Sequence, residues 1–238
     1  IFHKTICTFG IPESTLAQQI EEWEDNLPCN LHLAYLPNPI LGVRLRLSIY
    51  GVDEATGLQE LAENEAKLRE MLGDAIYGEG TDSMQKVIGK TPKERGMTVG
   101  VAESCTGGFL ASLFTSQPGA SEYFYGGVIS YDNSVKMNVL GVEKEVLEKY
   151  GAVSQECAEQ MAAGARRVLG TDYAIATTGI AGPDGGTPEK PAGTVWIAVA
   201  SPEGVISKKF TFNSTRRNIN IERFAANALN MLRLQLIK

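Results

Sequence analysis

Thr98-Val99-Gly100-Val101-Ala102-Glu103-Ser104-Cys105-Thr106-Gly107-Gly108 decides how the larger part of this 238-residue chain folds. Thr98 to Ala102 reads as a strand, and a helix is expected from about Gly107 to Thr115. The chain therefore passes from strand to helix across a turn of small and polar residues. Working outward, a helix near Ser83 to Glu94 precedes this unit, and a strand from Gly127 to Tyr131 follows it, leading into a helix through Val135 and Leu140. Ser154 is a good N-cap for a long helix in which Ala158, Met161, Ala162, Ala165, Val168 and Leu169 form one apolar face, closed by Gly170. The strand Tyr173 to Thr178 enters a long glycine-rich loop. Thr194 to Ala200 and Val205 to Phe212 then read as a hairpin around Ser201-Pro202-Glu203-Gly204. A last helix from about Asn218 to Leu236 turns Ile221, Phe224, Ala225, Ala228 and Leu232 toward a core. Strands alternating with helices, plus one hairpin, predict an α/β fold: a mixed sheet layered with helices.

Residues 1–77 read as a separate, small α+β domain, with 78–238 as the second. A strand over Thr5 to Phe9, a helix over Pro12 to Glu24, and strands over Leu31 to Leu36 and Val43 to Tyr50 are expected, the last two around Pro37-Asn38-Pro39. Val43, Leu45, Leu47 and Ile49 alternate with Arg44, Arg46 and Ser48, the period of a half-buried strand. A helix from about Asp53 to Leu72 stops at Gly73, and Tyr77-Gly78-Glu79-Gly80-Thr81-Asp82 reads as the domain boundary. Arg44 and Arg46 admit either an RNA-binding sheet or a solvated strand face. The segment is rich in Glu and lacks a G-x-x-G clamp, which favours the solvated face.

Composition narrows the chemistry. A net charge of -6 and a pI near 5.1 leave no cation excess for a broad nucleic-acid or acidic-membrane surface. No apolar run approaches the roughly 20 residues needed to span a bilayer, and the first residues carry no signal-peptide pattern. The chain begins with Ile rather than Met, so residues upstream are expected to have been removed or to lie outside this sequence. Four widely spaced cysteines, Cys7, Cys29, Cys105 and Cys157, suit reduced thiols in a cytoplasmic protein. Only two histidines occur, His3 and His32, both far from the later motifs. A Ser-His-Asp triad or a His-rich zinc site in the C-terminal part is thereby excluded, and nucleophilic chemistry there needs another base.

Three motifs are candidates for that chemistry. Val101 to Gly108 lies where a strand meets a helix N-terminus, whose free N–H groups suit a ligand or an oxyanion; a Ser/Thr cap followed by packing glycines is the competing reading. Gly126 to Lys136 carries a capping Asp132 or Asn133, which puts Lys136 in the first or second turn of a helix and close to Tyr131 at the strand end. A cation near a helix N-terminus is disfavoured by about 0.3–1 kcal/mol, which lowers the lysine pKa as a general base requires; a snorkelling surface lysine is the alternative. Thr178 to Gly186, continuing to Lys190 and Gly193-Thr194, can wrap a phosphate or sugar with backbone N–H groups, or be a mobile surface loop. It is neither a Walker A sequence nor a dinucleotide fingerprint. Cys105 is a rival nucleophile, though no nearby His would form its thiolate. Glu103 and Asp184 make a weak metal pair. Arg216 and Arg217 read as a phosphate clamp or as a solvated turn.

Taken together, these blocks resemble the C-terminal domain of the competence/damage-inducible CinA family. The matching residues are Ala102 to Gly108, Gly151-Ala152-Val153-Ser154, Thr178 to Gly186, and Lys190-Pro191-Ala192-Gly193-Thr194-Val195-Trp196. Residues 1–77 resemble the KH-like middle segment of longer members. Their further N-terminal domain, similar to molybdopterin-binding domains and linked to metal-dependent ADP-ribose hydrolysis, has no counterpart in these residues. The resemblance implies nicotinamide-nucleotide amidohydrolase activity without a cofactor or metal, in which nicotinamide mononucleotide and water give nicotinate mononucleotide and ammonia. It places the catalytic Ser, Tyr and Lys on Ser104, Tyr131 and Lys136. A Ser–Lys pair is a variant of the triad logic and agrees with the missing histidine. Backbone groups of Cys105, Thr106 and Gly107 would hold the oxyanion. Gly179, Ile180, Ala181, Gly182 and Gly185 would wrap the nucleotide, with Arg216 or Arg217 on its phosphate. Asn213-Ser214-Thr215-Arg216-Arg217 departs from the family's usual Gly-Asp-Arg there. The expected partners are a small nucleotide substrate and further copies of the chain, as a homodimer or higher oligomer, with no nucleic acid or membrane. A catalytically silent nucleotide-binding or scaffolding module is the reading from a different class.

Overall fold

The computed structural model describes all residues, Ile1 to Lys238, and divides them into two compact units, Ile1–Val87 and Ile88–Lys238. No helix is long and apolar enough to cross a membrane.

In the first unit, β1 (Phe2–Thr8), α1 (Glu13–Asp25), β2 (Leu31–Asn38), β3 (Gly42–Ile49), α2 (Glu54–Leu72) and β4 (Ile76–Glu79) follow in order. The strands form one antiparallel sheet in the order β2-β3-β1-β4. Val43, Leu45, Leu47 and Ile49 alternate onto one face as their period demands. They bury with Ile6 against Leu16 and Ile20 of α1 and Leu61, Leu68 and Leu72 of α2. Asp53 caps α2 by accepting from the Thr56 N–H at 3.1 Å. Residues 77–79, expected to be part of a linker, instead form most of β4. The strand is recruited by pairing with β1, a long-range contact that a short Gly-Glu-Gly-containing stretch does not advertise. Pro37 and Asn38 extend β2 rather than turning, so the hairpin turns at 39–41.

The second unit begins within α3 (Met84–Arg95) and continues with β5 (Val99–Glu103), α4 (Phe109–Thr115), β6 (Phe124–Ile129) and α5 (Asn133–Asn138). Then come α6 (Lys144–Tyr150), α7 (Gln155–Leu169), β7 (Tyr173–Gly179), β8 (Thr194–Ser201), β9 (Gly204–Thr211) and α8 (Arg217–Leu236). The sheet order is β6-β5-β7-β8-β9; β5 pairs in parallel with β6 and β7, while β7-β8-β9 is antiparallel. This is the mixed, helix-layered α/β sheet that the alternation implies. Ala102, Ala174, Ala176, Ala198 and Ala200 make one sheet face flat, so α7 packs closely through Cys157, Ala158, Met161, Ala162 and Ala165. Ser154 caps α7, accepting from the Cys157 N–H at 3.2 Å, and Gly170 ends it in the left-handed conformation. Within α7, Gly164 is fixed by closeness rather than flexibility, since a Cβ there would lie 1.9 Å from the Leu140 carbonyl oxygen. The helix α6 has no counterpart in the sequence reading. At seven residues it is too short for a periodic signature.

Candidate active site at the C-terminal ends of the parallel strands

Parallel strands β5, β6 and β7 end on the same sheet edge, where open α/β sheets place their ligands. The ladder runs one residue beyond the strands. Ser104 N–H donates to the Thr177 carbonyl at 3.0 Å, and Ser130 N–H donates to the Glu103 carbonyl at 2.8 Å. Ser104 and Ser130 thus come abreast on neighbouring strands, which lie ~4.8 Å apart. Ala102 and Val128 pack into the α7 core, so alternation carries Ser104 and Ser130, two residues further on, to that same face. Ser104 is 9% exposed and Ser130 fully buried.

Glu103 goes to the opposite face, where it is fully buried and caps α4. Its Oε2 accepts from the N–H groups of Gly108 (2.9 Å) and Leu110 (3.0 Å), and its Oε1 from Ala111 (2.7 Å). The formal cap position is Gly108, whose φ of 100° is left-handed. The Ser/Thr cap of the competing reading is therefore replaced by a carboxylate five residues upstream of Gly108, and three backbone N–H groups occupy Glu103. Gly107 N–H closes the turn on the Ser104 carbonyl at 3.2 Å, so it is not available to an oxyanion. The Cys105 and Thr106 N–H groups have no protein acceptor. Thr106 and Thr177 share a buried hydroxyl hydrogen bond of 2.7 Å beneath this turn.

Asp132 caps α5, accepting from Ser134 N–H at 2.8 Å, as its sequence position suggests. Lys136 is 1% exposed and forms no ion pair; its Nζ donates to the carbonyls of Ser130 at 2.8 Å and Tyr131 at 3.1 Å. Burial pulls its pKa below the ordinary 10.5, against smaller opposing effects of Cys157, Asp132 and Cys105. The direction is the one expected, but the cause differs. The helix α5 has only six residues, and Lys136 stands in its last turn, so desolvation rather than a helix N-terminus disfavours the charge. Once deprotonated, the amine keeps two hydrogens for these two carbonyls and has its lone pair free to take a proton. The Ser104 hydroxyl and the Lys136 amine do not hydrogen-bond to each other. The neighbouring thiols are no rivals: burial pushes Cys105 up to about 12 and Cys157 up to about 11, which keeps both protonated at neutral pH.

Tyr131 lies past the end of β6 and is 61% exposed. Its hydroxyl accepts from Arg217 Nη2 at 3.1 Å, while Arg217 Nη1 donates to the Gly182 carbonyl at 3.0 Å. One guanidinium thus joins Tyr131 to the glycine loop. The adjacent Arg216 is the N-cap residue of α8, exposed, and its contribution is a backbone N–H on Ser214 Oγ at 3.2 Å. The structure therefore separates the two arginines that the sequence left equivalent.

The loop itself is held at both ends. Gly179 closes β7 opposite Val195, and Ile180 is locked by Ile180 N–H to Thr194 O (2.8 Å) and Gly193 N–H to Ile180 O (2.7 Å). Asn220, fully buried in α8, donates from Nδ2 to the carbonyls of Ala181 (3.0 Å) and Ser214 (2.8 Å). Lys190 Nζ holds the far end on the Tyr150 carbonyl at 2.8 Å. Between these anchors 183–189 is exposed, Gly185 included. Asn220, Ser130, Thr177 and the capping role of Glu103 escaped sequence reading. Each depends on which distant backbone group a polar side chain meets, and no local spacing encodes that.

In the first unit, Arg46 stands exposed on β3, opposite Thr5 of β1 and Ala34 of β2. No aromatic residue shares that row, consistent with a solvated face.

Comparison with known proteins closes the case for family. The family described as "CinA C-terminal domain" matches residues 81–236, and "Damage-inducible protein CinA KH domain" matches 3–78. A CinA-like protein of Flavobacterium psychrophilum is 45% identical over 239 residues, covering 100% of this chain and 57% of its own length. One from Cytophaga hutchinsonii is 43% identical over 99% of this chain and 56% of its own. The chain thus spans little more than half the length of these curated relatives. Among solved structures, a competence/damage inducible protein from Agrobacterium tumefaciens is similar with a TM-score of 0.63 at 36% identity, covering 65% of this chain and 94% of its own. A CinA superfamily protein from Klebsiella pneumoniae gives 0.62 at 32% identity, over 65% of this chain and 96% of its own. The chain belongs to the CinA family.

Proposed function

We propose that residues 78–238 form an amidohydrolase domain that converts the carboxamide of nicotinamide mononucleotide to the carboxylate, releasing ammonia without a metal. The observation that carries this reading is Lys136. It is a lysine buried to 1% exposure, with no anionic partner and a lowered pKa, its amine on the carbonyl of Ser130, which stands abreast of Ser104. Burial without a counter-charge favours the neutral amine, the form that a general base needs.

In this reading neutral Lys136 accepts the Ser104 proton as the Ser104 oxygen bonds to the amide carbon. The Cys105 and Thr106 N–H groups stabilise the oxyanion, a contribution of roughly 3 kcal/mol per donor in comparable sites. The C–N bond then breaks as the leaving nitrogen takes the proton, and water hydrolyses the acyl-serine. Tyr131, held by Arg217, orients the amide over Ser104. Arg217 offers its charge to the ribose phosphate, with the Gly179 to Gly186 loop wrapping the sugar.

The test is ammonia release from nicotinamide mononucleotide by the purified chain. Activity should persist in a chelator and vanish in Ser104→Ala. Loss to chelator, or retention in the alanine variant, overturns the reading. Nucleotide binding with no ammonia release would instead favour a silent binding module.

A further inference from the structure

Ser130 is the polar group that the mechanism above leaves unused. Its side chain is fully buried, and its Oγ has no hydrogen-bond partner. It nevertheless sits in the middle of the site. Its N–H is bonded to the Glu103 carbonyl at 2.8 Å, which sets it abreast of Ser104, and its own carbonyl receives Lys136 Nζ at 2.8 Å. A hydroxyl is both donor and acceptor, and burying one unmatched is unfavourable unless a partner arrives. Ser104 lies abreast of Ser130 on the neighbouring strand and Lys136 Nζ reaches the Ser130 carbonyl, while Ser104 and Lys136 do not hydrogen-bond to each other.

We propose that Ser130 is the proton relay between Ser104 and Lys136, so that the site works as a Ser-Ser-Lys chain. The inference rests on the amidohydrolase reading. As the Ser104 oxygen bonds to the amide carbon and the carbonyl π pair moves to oxygen, the Ser104 proton passes to Ser130 Oγ. The Ser130 proton passes in the same step to the Lys136 lone pair, giving the ammonium. In collapse the path reverses. Lys136 returns a proton through Ser130 to the leaving nitrogen, the C–N bond breaks, and ammonia departs from the acyl-serine. At rest the Ser130 Oγ bonds neither neighbour, so the relay requires the Ser130 hydroxyl to turn toward Ser104 and Lys136 when the amide is bound.

Three readouts on the full chain decide the matter. Ser130→Ala should lower kcat for nicotinamide mononucleotide by about 100-fold with KM changed less than threefold, as loss of a proton-transfer path does. The rate of the acylation burst in mixtures of light and heavy water should follow a bowed curve in the parent, where two protons move together, and a straight line in Ser130→Ala. The variant's melting temperature should be unchanged or higher, because an unmatched buried hydroxyl has been removed. Full kcat in Ser130→Ala, with Ser104→Ala inactive, overturns the relay alone. A straight inventory in the parent does so too, as does a lowered melting point accompanying the loss of kcat. Activity surviving in Ser104→Ala overturns the amidohydrolase reading itself.

Discussion

Replacing Glu103 with glutamine keeps the shape of the side chain and removes its charge, which isolates what the carboxylate does for α4. In the native unit Oε2 accepts two N–H bonds and Oε1 one, all in a site with no solvent exposure. A bond to a charged acceptor contributes about 1.5–3 kcal/mol, against about 1 for a neutral pair. The amide oxygen of the substituted side chain can retain Gly108 and Leu110 at reduced strength, a loss of about 1 kcal/mol each. Its NH2 then faces the Ala111 N–H, so the third bond is lost outright at about 2 kcal/mol. Relief from burying a charge returns roughly 1 kcal/mol, leaving a net destabilisation of about 3 kcal/mol. For a unit of this size that lowers the melting temperature by about 6–12 °C. The chain has two tryptophans, Trp23 in the first unit and Trp196 in the second, so fluorescence in a Trp23→Phe background follows the right unit. Urea or thermal unfolding of Glu103→Gln against that background measures the difference. A change below about 1 kcal/mol would mean that the three bonds are not what holds the turn under Ser104.

Three further outcomes follow. Lys136→Met should abolish ammonia release and flatten the pH dependence of stability. Between the lowered pKa and 10.5 the unfolded chain binds a proton that the folded one does not, so native stability climbs with pH, by up to about 1.4 kcal/mol per unit, and falls as pH drops through that window. A variant whose stability keeps the parent's alkaline slope would show that Lys136 is not the source. Arg217→Lys should raise KM for nicotinamide mononucleotide at least about tenfold, because one ammonium cannot hold Tyr131, Gly182 and a phosphate together, whereas Arg216→Ala should change it less than about twofold; equal effects would erase the distinction drawn between them. Gly164→Ala should destabilise the second unit by about 3 kcal/mol in the same tryptophan assay, its methyl being driven onto the Leu140 carbonyl. A neutral result would mean that α7 shifts freely.

What could be read in advance follows a physical division. Periodicity and capping chemistry are local, so α7, with Ser154 before it and Gly170 after it, is legible from the sequence alone, as are the hairpin β8-β9 and the strand β3. The strand β4 is not, because four residues containing Gly78 pair only when β1 is already beside them. Ser104 and Lys136 stand out by type and spacing, while the reason for the lysine's lowered pKa does not. Burial belongs to the finished core, and sequence reasoning supplied the helix terminus in its stead. Arg216 and Arg217 are identical as letters. Only the position at which α8 begins decides that the second faces Tyr131 and the first does not. Ser130 had no signal at all, since an unmatched hydroxyl is visible only once every neighbour is known.

The cap on α4 also bears on how a reaction cycle ends. An uncapped helix N-terminus beside Ser104 would attract any carboxylate formed there. With Gly108, Leu110 and Ala111 already bound to Glu103, that end is electrostatically quenched. On the proposed reaction, the neutral amide enters and a carboxylate leaves from the same spot, and the α4 terminus adds no pull of its own to that of the Cys105 and Thr106 N–H groups. Under that proposal Glu103 weakens the hold on product without ever meeting the substrate.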